Sequence, residues 1–154
     1  MFGPVYKFVH RAKLVASSDT SLREGHSMIG RVKHVNIPIA DQSRALAFYT
    51  EKLGFVVTTD LPFGPGQRWI ELAIPGASTE VTLFTSEGHE DRIGTFIGIV
   101  FEAEDINATY EEMVAKGVEF TQQPKEESWG TSAMFKDSEG NLFVLSSIDA
   151  APSD

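Results

Sequence analysis

His34 and Glu71 are the two side chains whose type and setting could do chemistry. His34 lies in Val32-Lys-His-Val-Asn-Ile-Pro-Ile-Ala-Asp41, where strand alternation puts Val35, Ile37 and Ile39 on one face. Val32, His34 and Asn36 then occupy the other. In Arg68-Trp-Ile-Glu-Leu-Ala73 the same alternation turns Ile70 and Leu72 inward, leaving Trp69 and Glu71 on the opposite face. An imidazole beside a carboxylate can act as general base and partner, or as two donors of an incomplete metal site. It can equally be a hydrogen-bonded polar pair at a pocket rim, since buried polar groups find partners. The other histidines offer no help: His10 and His26 precede the first strand, and His89, with Glu87, falls in a polar stretch. A lone imidazole does not hold a divalent ion, because a site of nitrogen and oxygen donors takes at least three protein ligands.

Several other chemistries are excluded outright. The chain has no cysteine, which removes disulfides, thiolate metal sites and a cysteine nucleophile together. It contains no Gly-x-Gly-x-x-Gly or phosphate loop, no His-Glu-x-x-His and no Gly-x-Ser-x-Gly elbow.

The elements that must position His34 and Glu71 follow from the pattern. A strand over about 31–39 leads to Asp41 as helix cap, a helix over about 41–53 with Ala45, Leu46, Phe48 and Tyr49, and Gly54 just past its end. Pro38 removes a ladder donor near the strand's end and suits an edge. Strands are expected at Phe55–Asp60, Arg68–Ala73 and Val81–Thr85. The first two of these are joined by Leu-Pro-Phe-Gly-Pro-Gly-Gln67, rich in turn formers. Residues 86–94 read as a linker. The order then repeats: a strand over about 95–102, Asp105 as cap, a helix ending at Lys116-Gly117, and strands at Val118–Gln122, Thr131–Lys136 and Leu142–Ser147. Asp137-Ser-Glu-Gly-Asn141 joins the last two as a hairpin turn. Counting back seven residues from each cap pairs His34 with Gly98. Duplicated modules of this size do not bury their sheets alone.

Length and composition bound the rest. At 154 residues with 42% hydrophobic and 23% charged side chains, the chain suits one compact domain or two small, closely packed modules. The formal charge of −9 argues against nucleic acid, which needs clustered Lys and Arg, and speaks first to solubility. Residues 1–28 carry Lys7, Arg11, Lys13 and Arg23 against Asp19 and Glu24, so they are net +2 and the remainder is −11. This stretch lacks the continuous apolar core of a secretory signal and only faintly matches a transit peptide. It reads as a flexible leader, or as an extended start ahead of Met28. No apolar run approaches the ~20 residues that span a bilayer. The expectation is a cytoplasmic protein without membrane contact: a leader over 1–28, one domain over 29–149 (module one 31–86, module two 95–147), and a tail over 150–154.

Three motifs carry a family resemblance over about Arg31 to Ser147. They are His34-Val-Asn-Ile with Asp41 and Ala47-Phe-Tyr-Thr-Glu-Lys-Leu-Gly-Phe55; Asp105-Ile-Asn-Ala-Thr-Tyr110 with Ala115-Lys-Gly-Val-Glu-Phe120; and Phe135-Lys-Asp-Ser-Glu-Gly-Asn-Leu-Phe143. In this order they resemble the vicinal oxygen chelate superfamily, which includes glyoxalase I, extradiol dioxygenases and bleomycin-resistance proteins. The resemblance implies an α+β fold of two βαβββ modules whose sheets curl around a shared concave site, and homodimers are common among its members. It also implies four metal-ligand positions in metal-dependent members: the first strand and the last strand of each module. Here they fall on His34, on Thr82 (or Leu83 with a one-residue slip), on Gly98 and on Val144. Only His34 matches.

The expected site is therefore a largely apolar cleft with few polar groups, the usual character of small-molecule sites. His34, Asn36, Trp69 and Glu71 line it from module one. Phe96, Gly98, Trp129 and Val144 line it from module two, Gly98 leaves space, and Phe63 and Trp129 close its mouth. The function expected is a small-molecule-binding protein without metal or other cofactor, similar to bleomycin-resistance proteins that sequester a ligand. The rival is an enzyme, lyase-like or dioxygenase-like, with displaced metal ligands or with His34 and Glu71 as metal-free acid–base catalysts.

Overall fold

The structure is a computed structural model that describes residues 27–148. Most of the leader and the whole 150–154 tail lie outside the described residues. Of the two compact units in the chain, the second, Val32–Asp154, carries all the secondary structure described here.

Each module builds one four-stranded sheet. In the first, β1 (His34–Ile37), β2 (Val56–Pro62), β3 (Arg68–Ala73) and β4 (Glu80–Leu83) are ordered β1-β4-β3-β2. In the second, β5 (Phe96–Ala103), β6 (Glu119–Glu127), β7 (Gly130–Lys136) and β8 (Leu142–Ser147) are ordered β5-β8-β7-β6. The parallel pair in each sheet, β1 with β4 and β5 with β8, needs a crossover, and the module's helix and hairpin supply it. These are the two βαβββ modules of the expected α+β fold.

The helices begin where their caps require. Asp41 in extended conformation accepts the Arg44 N–H at 2.9 Å and opens α1 (Gln42–Ala47), which continues as a π-helical turn over Phe48–Lys52. Asp105 accepts the Ala108 N–H at 2.9 Å and opens α2 (Ile106–Ala115). Both ends leave through a left-handed glycine, Gly54 at φ 73° and Gly117 at φ 81°. Gly117 has room for a Cβ, whose nearest neighbour would be the flexible Lys52 ammonium at 3.6 Å, so only the backbone resists substitution. Gly117→Ala is expected to cost about 1–2 kcal/mol of unfolding free energy in a urea titration.

Several strand ends shift by one or two residues, as at β2 (Val56–Pro62) and β4 (Glu80–Leu83), and three departures have a clear outline. β1 is shorter than 31–39, ending before Pro38 can remove a ladder donor. β6 runs to Glu127 rather than Gln122, because Pro124 sits on an outer strand where its missing N–H costs no ladder bond. The stretch 86–94 holds one 3-10 turn at Glu90–Arg92.

One apolar core draws on both modules. Ile37, Ile70, Leu72, Val81 and Leu83 come from the first sheet and Ala133, Phe135, Phe143 and Leu145 from the second, with Tyr49, Ile106 and Met113 from the helical segments. Tyr49, Phe55 and Phe101 run between the modules, their ring centroids 5.7 and 5.9 Å apart in succession.

The turn between β7 and β8 also joins the modules. Asn141, fully buried, donates to the Pro38 carbonyl at 2.8 Å and to Asp137 Oδ2 at 2.9 Å, and accepts the Gly94 N–H. Asp137 also accepts the Tyr49 hydroxyl at 2.6 Å. Burial, and then the Asp137 charge beside it, push the Tyr49 phenol well above its ordinary pKa, so it stays a hydrogen-bond donor. Glu139 accepts the Ala40 N–H and pairs with Arg44 at 2.8 Å.

Candidate binding face on the first sheet

The parity of the first sheet is as the residues require. Ile37, Ile70, Leu72, Val81 and Leu83 enter the core, so His34, Asn36, Trp69, Glu71, Thr82 and Phe84 belong to the other face. Asn36, Thr82, Glu71 and Thr59 lie in register across all four strands. Thr82 Oγ1 donates to Asn36 Oδ1 at 2.9 Å.

Glu71 is the best-connected polar group on this face. Its Oε1 accepts the Trp69 indole N–H at 3.0 Å and its Oε2 accepts the Thr59 hydroxyl at 3.0 Å. His34 Nδ1 stands 4.0 Å from Oε1, and only 12% of the Glu71 side chain is exposed. The Trp69 hydrogen bond, helped by Thr59 and by nearby Lys33 and His34, outweighs partial burial and holds the carboxyl below the usual carboxylate range. A carboxylate with a depressed native pKa adds stability that is present above its unfolded pKa and is lost as pH falls through the native one. Glu71→Gln should therefore lower the neutral plateau of a stability-against-pH curve and flatten its acid limb below about pH 4.5, the two proteins converging in acid.

Thr59 was not among the expected site residues. Unbroken alternation puts Thr58 opposite Glu71, but a register shift between Val57 and Thr59 makes Thr59 the partner. The Thr58 hydroxyl instead reaches the Glu71 carbonyl at 3.2 Å. Gln42 was missed as well: its side chain donates to the carbonyls of Arg68 and Leu83 and accepts the Arg68 N–H, bracing β3 against β4. Nothing in the residue pattern marks a helix-start glutamine as a brace.

Aromatic side chains gather beside this group. Trp69, Phe84 and Phe63 lie with ring centroids 5.4–5.8 Å apart, and His34 meets Trp69 nearly edge-on, at 5.7 Å and 72°. Phe63 is 52% exposed and comes from the turn after β2, which closes through Phe63 N–H to the Gln67 carbonyl at 2.8 Å. The structure thus brings together His34, Trp69, Glu71 and Phe63, with Asn36 one rung away.

The expected residues of module two lie on the second sheet or its connections. Phe96 is in register with Leu142, and Val100 with Val144. The shift between those pairs surrounds Gly98, whose φ is 80° and whose Cβ position is open space. Val144 is buried yet outside the apolar core, which agrees with a place on the face opposite Phe143 and Leu145. Trp129 lies in the turn between β6 and β7, one residue ahead of β7.

These positions decide whether the family's metal could be held. The Thr82 hydroxyl is spent on Asn36, Gly98 has no side chain, and Val144 is an apolar group. Among the described residues, no three His, Cys, Asp or Glu side chains gather as a metal ion requires. The donor set does not fit a divalent ion.

Residues 31–145 match the profile of the Glyoxalase/Bleomycin resistance protein/Dioxygenase superfamily. The chain belongs to this superfamily. It is 41% identical over 118 residues to YetH of Bacillus subtilis (strain 168), covering 77% of this chain and 98% of that protein. Its fold is similar to the crystal structure of a superfamily member from Sphaerobacter thermophilus DSM 20745, with 34% identity and a TM-score of 0.73 over 79% of this chain and 100% of that one. It is also similar to TnmS3, an antibiotic binding protein from Streptomyces sp. CB03234, with 30% identity and a TM-score of 0.70 over 80% of this chain and 100% of that one. The superfamily spans binding proteins and enzymes, so membership alone leaves the function to the site. Among the described residues no helix is long and apolar enough to cross a membrane.

Proposed function

We propose that this protein binds a small organic molecule without a metal ion and holds it on the face of the first sheet opposite the apolar core, over Trp69, Phe63 and the His34–Glu71 pair. The observation that carries this reading is the filling of the family's ligand positions. The other three positions that the resemblance implies carry a hydroxyl already bonded to Asn36, a glycine and a buried valine. Likeness to an antibiotic binding protein supports a small-molecule ligand. Asn36 and Trp69 belong to the proposed contact surface, and Phe96, Gly98, Trp129 and Val144 are its counterpart on the second sheet.

The same proposal places the protein in the cytoplasm as a homodimer. The exposed apolar side chains of the outer strand β2 support association: Val56, Val57 and Leu61 are all open to solvent. Light scattering on the purified chain reads the mass directly.

The binding reading is tested by thermal shift against aromatic antibiotics and cationic glycopeptides in parallel with Ni²⁺, Zn²⁺, Mn²⁺ and Fe²⁺. A ligand of the folded state at free concentration c stabilises it by RT ln(1 + c/Kd), so the melting temperature rises with the logarithm of that concentration once it exceeds Kd. Shifts with organic compounds that Trp69→Ala abolishes are expected. Shifts with metal ions alone would contradict the proposal.

A further inference from the structure

The His34–Glu71 pair has a polarity that the binding proposal does not use. His34 Nδ1 is buried and has no hydrogen-bond partner, and the carboxylate facing it is Glu71, at 4.0 Å. The imidazole side chain nonetheless keeps 30% of its surface exposed, and Nδ1 is the ring nitrogen buried without a partner, which leaves Nε2 as the nitrogen to meet a ligand. An ionised carboxylate repels a nitrogen lone pair and attracts an N–H. A neutral His34 therefore carries its proton on Nδ1, toward Glu71, and turns the Nε2 lone pair outward. Which ring nitrogen bears the proton is set by the neighbour of the other one. Glu71 is itself fixed from both oxygens by Trp69 and Thr59, so it cannot turn away from the ring without breaking two hydrogen bonds.

The outward lone pair stands beside an aromatic surface. The Trp69 ring centroid is 5.7 Å from that of His34, with Phe84 and the half-exposed Phe63 packed against Trp69. A planar ring lying on these side chains meets an acceptor at its edge. Resting on the binding proposal above, the geometry points to a ligand class: planar aromatic molecules with a phenolic hydroxyl, which donates to His34 Nε2 while Glu71 positions the imidazole. The complementary exclusion is as specific. A ligand with only an acceptor at that edge, an ether or a carbonyl, sets two lone pairs against each other and leaves a desolvated group without a partner.

Two readouts test this. In long-range ¹H–¹⁵N spectra of the full-length protein at alkaline pH, with His34 assigned by its loss in His34→Phe, the wild-type ring is expected as the Nδ1–H tautomer. Glu71→Gln, whose carboxamide can donate as well as accept, should shift the ring toward Nε2–H, an outcome that a purely structural Glu71 would not produce. A wild-type His34 protonated on Nε2 would overturn the proposal. The second readout is an NMR titration with 2-naphthol and its methyl ether, 2-methoxynaphthalene. 2-Naphthol is expected to bind about tenfold more tightly, and the preference to vanish in His34→Phe. Equal binding of the two by the wild type overturns the acceptor role and leaves the aromatic binding face standing. Failure of both to bind removes that face as well.

Discussion

Asn141→Ala is expected to lower the unfolding free energy by about 3–5 kcal/mol, read as a fall in the urea midpoint at unchanged slope. The size follows from what the side chain leaves behind. With it gone, the Pro38 carbonyl and the Gly94 N–H lose the partner they have here, and Asp137 loses one of its donors. A buried polar group left unpaired costs about 1–3 kcal/mol. Asn141 is fully buried, and its side-chain partners include Pro38, 103 residues away. The loss therefore loosens the tie between β1 and the β7–β8 turn as well as the turn itself. The contrast is Lys116→Ala: its pair with Glu112 at 2.7 Å lies at the surface, where solvent screens it, and its loss should barely move the urea midpoint. Comparable effects from the two substitutions would refute this ranking.

The second large effect is expected from Phe135→Ala, at about 3–5 kcal/mol. Phe135 is 1% exposed and meets Phe101, Phe120 and Phe143 with ring centroids 5.6–6.1 Å away. Phe101 in turn meets Phe55, and Phe55 meets Tyr49, so the hole opens in the aromatic chain that the two modules share. Phe135→Leu keeps more of the volume and should recover part of the loss. An equal loss in both variants would place the effect outside cavity formation.

Much of this architecture was legible in the residue order, and the failures have physical causes. The caps Asp41 and Asp105 and the exits Gly54 and Gly117 fall where their types demand, because capping is local chemistry. Arg68–Ala73 and Leu142–Ser147 match the observed strands end for end. Gly64-Pro-Gly66 and Pro75-Gly76 bound the first, and Gly140-Asn141 precedes the second. Alternation also put Trp69 and Glu71 on one face with His34, which is half of the candidate site. Thr59 was hidden by a bulge, since one extra residue flips the parity on which such readings depend. The Asn141 clamp was hidden differently. Asp137-Ser-Glu-Gly-Asn141 announces a turn, and the turn is there, but the hydrogen bonds of Asn141 to Pro38 and Gly94 depend on where the rest of the chain lies. The aromatic cluster needed tertiary structure too, because Phe63 reaches Trp69 only through the conformation of its turn.

His34 and Glu71 stand 4.0 Å apart, closest at Nδ1 and Oε1. His34 occupies the first ligand position that the family resemblance implies, yet the groups near it are an oriented carboxylate and an aromatic cluster. The most direct test of this account is the metal content of the protein after expression in medium supplemented with Ni²⁺, Zn²⁺, Mn²⁺ and Fe²⁺, measured by plasma mass spectrometry. The account predicts far less than one ion per chain, with the same residual value in His34→Ala. Close to one ion per chain in the wild type, lost in His34→Ala, would contradict it.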